Sequence, residues 1–325
     1  MKHAISKLMT GVVLAAGAAA SFANPAEGYP KATIKIIVNF PAGGTADILP
    51  RIIAQKLSDK WGQPVIVENR TGAGGNIGAE AVAKAAPDGY TLLATPPAPL
   101  AINQYLYKSL PFDPARFEPV TVLATVPNVL AVRANLPVKT AKDFIAYAKK
   151  EDGMVTVATQ GNGTTSHLTA SMFATQSGTK YTFVPYKGTA PALTDLMGGQ
   201  VDVFFDNIAS MSKLHETGKA RILAVASANR SPLLPNMPTL SESVLPGFNA
   251  STFFAMAAPP GTPAEITQKL NGAIKDILKQ KDVQQKFLEQ GAEIVGNSPA
   301  EMKDFVMNER VRWKKVIDSA GVTMN

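Results

Sequence analysis

Short apolar, β-branched runs alternate along the chain with stretches in which apolar residues recur every three or four positions. The first kind of run fits strands and the second fits helices. Strands are expected at 32–40 (ATIKIIVNF), 64–69 (PVIVEN), 90–95 (YTLLAT), 155–159 (VTVAT), 181–186 (YTFVPY), 201–206 (VDVFFD), 221–227 (RILAVAS), 251–259 (STFFAMAAP) and, briefly, 293–295 (EIV). Ile48, Leu49, Ile52, Ile53 and Leu57 mark one broad apolar helical face after a Thr45 cap, with Pro50 in the first turn or two. Further helices are expected over 76–86 and 98–107 and after Thr140, where Asp143 stands at the capping-box position. Another opens at Thr165 or Ser166. Two starts share one device: Thr262, Pro263 and Glu265, then Ser298, Pro299 and Glu301, each a cap, a proline at the first helical position and a glutamate at the third. The last helix runs to about Ser319.

Repeated strand–helix–strand units predict α/β sheets covered by helices on both faces. The proline-rich stretches at 111–119 and 231–246 read as surface connections. One layout places the first domain on both sides of an inserted second, with crossings near 125–128 and 248–252 as the hinge. Periodicity supports the α/β class and leaves that layout open.

The N-terminus changes the picture of where the chain works. Lys2 and Lys7 precede an apolar run from Leu8 to Ala23, and Ser21 and Ala23 flank Phe22 in a small-residue pattern. This reads as a signal peptide spanning residues 1–23, cut after Ala23, because the run is short for a spanning helix. Removing it leaves 30 basic residues against 25 acidic ones, a formal charge of +5 compared with +7 for the whole chain of 325 residues. That mild balance suits a protein that meets small anions and does not point to nucleic acid. Arg310, Arg312, Lys314 and Lys315 form the densest basic group and read as a solvated helix face.

Cysteine is absent, which excludes disulfides, thiolate metal sites, cysteine nucleophiles and a lipid-bearing cysteine. Three histidines, His3, His167 and His215, make a multi-histidine metal site unexpected; neither metal nor cofactor is called for.

Four stretches can carry chemistry, each where a strand gives way to a helix. In NFPAGGTAD (39–47), glycines and a helix N-terminus can converge amides on a carboxylate or phosphate; a tight turn needing Gly43 and Gly44 explains the same residues. Asp47 there can meet polar ligand groups or favour the helix's positive end. NRTGAGGNIGAE (69–80) is glycine-rich but lacks the dinucleotide fingerprint, since Ile77 stands where glycine is required, and it has no Gly-Lys-Ser/Thr. It serves either a ligand or a close crossing. In TQGNGTTSHL (159–168), Thr164, Thr165 and Ser166 can donate to a carboxylate or simply cap a helix over a satisfied His167. Adjacent Ser166 and His167 give no triad geometry, and no G-x-S-x-G elbow exists. In VPYKGTAPALTDL (184–196) and GGQVDVFFDN (198–207), Lys187 can attract an anion or stand exposed beside a cap, and Asp206 and Asn207 end a strand where α/β proteins place ligands, a place where Asp206 can equally cap the next helix. Phe40, Tyr186 and Phe205 can wall a pocket or fill core.

The order of these pieces resembles one family. Pro41-Ala-Gly-Gly-Thr-Ala-Asp47, Val67-Glu-Asn-Arg-Thr-Gly-Ala-Gly-Gly-Asn76, Pro87-Asp-Gly-Tyr-Thr91, Val184-Pro-Tyr-Lys-Gly188 and Gly199-Gln-Val-Asp202 together are similar to the extracytoplasmic solute receptors of tripartite tricarboxylate transporters, the Bug proteins. The likeness runs from about Tyr29 to the C-terminus. It implies a two-lobed α/β fold of the type II periplasmic binding-protein kind, with a ligand cleft between lobes. Lobe 1 would comprise 24–127 and 251–325, and lobe 2 would comprise 128–250. It implies a soluble periplasmic monomer that captures a small organic carboxylate (a di- or tricarboxylate, acidic amino acid or aromatic acid) and delivers it to membrane permease subunits. No catalysis and no nucleic-acid partner are implied. The candidate ligand-binding residues are Phe40, Ala42, Gly43, Gly44 and Asp47 with Pro97 from the first lobe, and Gly161, Thr164, Thr165, Ser166, His167, Tyr186, Lys187 and Asp206 from the second. Thr95-Pro-Pro-Ala-Pro-Leu100 departs from the more polar or glycine-bearing pattern of relatives. Pro96 and Pro97 remove amide donors there and suggest an apolar wall suited to an aromatic or aliphatic acid. Competing functions are a receptor feeding a membrane sensor and, with no visible nucleophile–base pair, an exported enzyme.

Overall fold

The computed structural model describes residues 25–324; the expected signal peptide lies outside them. Ten strands form one continuous mixed sheet. β1 (Ile34–Val38), β2 (Val65–Asn69) and β3 (Thr91–Thr95) run parallel, as short strand–helix–strand units require. β4 (Glu118–Arg133) is the spine of the molecule. Over Glu118–Pro127 it pairs antiparallel with β9 (Ser251–Ala258), and over Asn128–Arg133 it pairs with β7 (Val203–Asn207) and β8 (Ala220–Val225). β5 (Thr156–Thr159) and β6 (Thr182–Pro185) extend the second half in parallel, and β10 (Glu293–Ile294) joins the first half.

Two halves therefore share a strand that passes from one set of partners to the other between Pro127 and Asn128. Proline suits that point, where a missing N–H interrupts neither ladder. The second crossing closes alongside it: Ala250 N–H donates to Ala226 O and Ala226 N–H donates to Asn128 O, both at 2.7 Å. The strand β4 was not expected as such, because Pro119 and Pro127 resemble loop punctuation.

The helices α1 (Thr45–Trp61), α2 (Asn76–Ala83), α9 (Ala264–Leu278), α10 (Lys281–Glu289) and α11 (Pro299–Ala320) cover the first half. Those covering the second are α4 (Ala141–Glu151), α5 (Thr165–Ser177), α6 (Thr189–Met197), α7 (Ile208–Glu216) and the one-turn α8 (Leu240–Ser243). A helical turn, α3 (Asn103–Leu106), follows a wider turn over 98–102. Alternation along β1 sends Ile34, Ile36 and Val38 into one apolar layer and Ile37 into the other, so the core lies on both faces of the sheet.

The capping boxes at Thr140/Asp143 and Ser298/Glu301 form as expected. Thr262 behaves differently. Its hydroxyl donates to Pro259 O at 2.8 Å, closing the preceding turn, and the helix cap falls on Pro263. Of the basic group on α11, Lys314 and Lys315 are exposed as expected, and the two arginines are engaged. Arg310 Nε donates to Leu100 O at 2.9 Å, and Arg312 reaches Asn249 O, Ser251 O and Glu309, tying α11 to the second crossing.

Candidate functional site

The loop after β1 enters α1 through Gly44, whose φ of −89° is open to any residue, while Gly43 at φ 87° needs glycine. Helix α1 has no side-chain cap. The amides of Gly44, Thr45 and Ala46 stand at its start, where N–H groups lack intrahelical acceptors and the helix dipole favours an anion. The Gly43 amide is not among them, because it donates to Asp47 Oδ2 at 3.0 Å. Asp47 is buried and braces the loop from behind: Arg51 Nε donates to Oδ2 at 2.9 Å and Asn69 Nδ2 to Oδ1 at 2.9 Å. Burial alone would raise its pKa, but bonds from Arg51, the Gly43 amide and Asn69 hold it below the usual carboxylate range. Asn69 also donates to Phe40 O.

The glycine-rich segment at 72–78 packs beneath this loop and does not line the cleft. A β-carbon on Gly78 would fall 2.6 Å from Arg70 O and 2.7 Å from Asn39 Cβ, and one on Gly75 would meet Asn39 and Phe40. Close backbone approach, not ligand contact, explains those glycines.

The facing wall comes from the second half. Thr164 caps α5, accepting from the His167 amide and donating to Gly161 O at 2.8 Å. Thr165 begins the helix, again with free amides. Ser166 Oγ donates to Phe205 O at 2.5 Å. His167 Nδ1 accepts from the Gly163 amide at 3.2 Å, and its ring stands edge-on to Phe183. Burial pushes its pKa down to about 4, so the imidazole is neutral at physiological pH. Asn128, on the shared strand, donates to Thr169 Oγ1 at 2.8 Å and fixes α5 to the crossing.

Asp206 is fully buried at the end of β7. Gln160 Nε2 donates to Oδ1 at 2.5 Å and Ser210 Oγ to Oδ2 at 2.7 Å. Burial raises its pKa to about 6, against the lowering pull of those donors, Thr189 and the Asn207 amide. Gln160 also donates to Thr189 Oγ1 at 2.9 Å, so one carboxylate orders Gln160, Thr189 and Ser210. Tyr186 turns away to donate to Asp195 at 2.6 Å, and burial followed by that bond pushes its phenol up to about 12.

Between the walls lies a cavity of about 390 Å³, within the range of small-molecule sites. It brings together Phe40, Ala42, Gly43, Gly44 and Pro97 from one half with Thr164, Thr165 and Lys187 from the other. Asp47, Gly161, Ser166, His167, Tyr186 and Asp206 do not line it and stand in the supporting layer. Asn207, at the strand end noted beside Asp206, lines it too, and so do Gln160, Thr189, Ser210, Thr252 and Phe254, which were not candidates. Ser210 follows Asp206 on a strand–helix junction and Gln160 falls inside the 159–168 stretch, so a signal was present for both; Thr252 has none, because only the fold places it. Pro96, Pro97 and Ala98 supply an apolar side, and Lys187 is the cation among the lining residues. The halves meet closely at the rim, where a β-carbon on Gly188 would lie 3.0 Å from Pro41 Cγ.

Groups of histidine and carboxylate able to hold a metal do not occur among the described residues. None of the described helices is long and apolar enough to cross a membrane.

Residues 49–322 match the family described as tripartite tricarboxylate transporter family receptor. The chain is 38% identical over 301 residues to protein BugT of Bordetella pertussis, covering 92% of each. It superposes on Rpa4515 of R. palustris, solved with adipate, with a TM-score of 0.88 and 40% identity over 91% of this chain and 99% of that one. MatC from Rhodopseudomonas palustris, solved with bound malate, gives a TM-score of 0.83 and 33% identity over 89% of this chain and 100% of that one. The chain also superposes on the periplasmic binding protein BugD, with a TM-score of 0.85 and 34% identity over 91% of this chain and 100% of that one, so the fold is that of the α/β periplasmic binding proteins. With its strand–helix loops, paired cleft walls and spine strand matched across nearly the whole length, the chain belongs to the tripartite tricarboxylate transporter receptor family.

Proposed function

We propose that the chain is an exported receptor that captures one small organic carboxylate between two lobes, bounded near 127–128 and 250–251, and presents it to membrane permease subunits. The observation that carries this reading is the pair of helix starts, one without a side-chain cap at Gly44–Ala46 and one at Thr165 behind its Thr164 cap, that open on one cavity. Amides at helix starts bind a carboxylate without a dedicated arginine, through direct or water-bridged bonds. The adipate and malate held by relatives are of that class. The protein works in the periplasm as a monomer and binds without turnover. Ser166 and His167 support the last point, since the hydroxyl donates to Phe205 O and the imidazole Nδ1 accepts an amide, so the two do not pair as nucleophile and base.

The apolar side formed by Pro96, Pro97 and Ala98 favours an aliphatic or aromatic acid over a highly polar one. A thermal-shift screen followed by calorimetry tests both statements, because ligand binding raises apparent stability by mass action. Adipate, malate, benzoate and citrate make the discriminating panel. Stabilisation by aliphatic or aromatic acids is expected. Tight citrate binding without any aliphatic or aromatic acid would overturn the specificity, and indifference to every carboxylate would overturn the function.

A further inference from the structure

Thr252 lies on the second crossing, opposite Val126 of the spine strand, at the floor between the two amide arrays. It is 2% exposed, and its hydroxyl has no hydrogen-bond partner within the chain. A buried hydroxyl left without a partner destabilises the fold, so a ligand that supplies one is favoured. The other unpartnered buried side-chain atoms among the described residues belong to Asn39, Gln104 and Arg312, none of which lines the cavity. Around the same cavity Thr164, Thr189 and Ser210 are all engaged. Phe254, two residues along the strand, shares the face of Thr252, so the floor is one hydroxyl beside an apolar ring.

We infer that Thr252 is a specificity-determining ligand contact whose hydroxyl meets a hydroxyl or oxo oxygen carried between the ends of the bound acid. This inference rests on the carboxylate reading above. The ends of a dicarboxylate are served by the two helix starts, which leaves the middle of the ligand over the floor. A site built to hydrogen-bond a ligand hydroxyl rejects the analogue that lacks it, because its own polar group is then left unpaired. The receptor therefore prefers hydroxy- or oxo-dicarboxylates to unsubstituted ones of equal length.

The test is calorimetry with matched pairs: malate and succinate, 2-hydroxyglutarate and glutarate, 3-hydroxyadipate and adipate. The parent protein binds the hydroxy member of at least one pair about ten-fold more tightly, a difference of about 1.4 kcal/mol. Thr252→Val, which keeps the shape and removes the hydroxyl, brings that ratio to about one with the unsubstituted acid within two-fold of parent, and melts no lower than the parent. Thr252→Ser keeps the preference. Equal affinity within every pair, a ratio that survives Thr252→Val, or equal losses for both members would overturn the inference while leaving carboxylate binding intact. A parent that binds none of the six acids overturns this inference, and the carboxylate reading falls with it only if benzoate and citrate are not bound either.

Discussion

Gly44→Leu binds carboxylates at least about 100-fold more weakly than the parent while its unfolding free energy changes by no more than about 1 kcal/mol. The two effects separate because of where Gly44 stands. A β-carbon there meets nothing within 4 Å, and φ of −89° suits any L-residue, so the folded chain accepts the substitution. The unfolded chain loses some freedom, which offsets part of any cost. The new side chain instead projects where Gly44 lines the cavity and covers the adjacent amides. Losing two charge-assisted bonds of about 1.5 kcal/mol each accounts for the affinity. Calorimetric titration and urea unfolding on the same samples measure both. Equal losses of affinity and stability would mean that the glycine serves the turn rather than the ligand.

A second large effect concerns pH. His167 and Asp206 are shifted in opposite senses by the same cause, burial. The folded-state pKa of His167 is depressed from 6.5 to about 4, so its contribution is fully present above pH 6.5 and is lost as pH falls toward 4. The folded-state pKa of Asp206 is raised from 3.8 to about 6, so its contribution is fully present below 3.8 and is lost as pH rises through 6. Each shift corresponds to roughly 3 kcal/mol. In the parent the two trends largely cancel between pH 4 and 7, and single substitutions unmask them. Asp206→Asn gains about 3 kcal/mol on the parent between pH 4 and 7, and His167→Gln falls behind by a similar amount over the same span. Urea unfolding at stepped pH reads both slopes. Parallel curves for parent and variants would show that neither group titrates abnormally in the fold.

Local signals carried much of this architecture. The strand–helix junctions at 39–47, 159–168 and 184–207 were legible because glycines, hydroxyls and caps fall between periodic stretches. What sequence could not supply was direction. Asp47 and Asp206 look alike as polar residues beside ligand loops, yet one braces a loop from behind and the other holds Gln160 and Ser210 in place. Tyr186 reads as a pocket wall and turns instead to Asp195. The spine strand hid behind Pro119 and Pro127, and with it the reason that Thr252 meets the cavity: residues distant in sequence become neighbours only where β4 changes partners.

A crystal structure of the chain with whichever carboxylate most raises its melting temperature tests the central claim most directly. One carboxylate group should lie within hydrogen-bond distance of the amides at Gly44–Ala46, with the rest of the same molecule reaching the start of the helix at Thr165. A ligand held by one wall alone, or seated outside the cavity between Gly44 and Thr165, would contradict it.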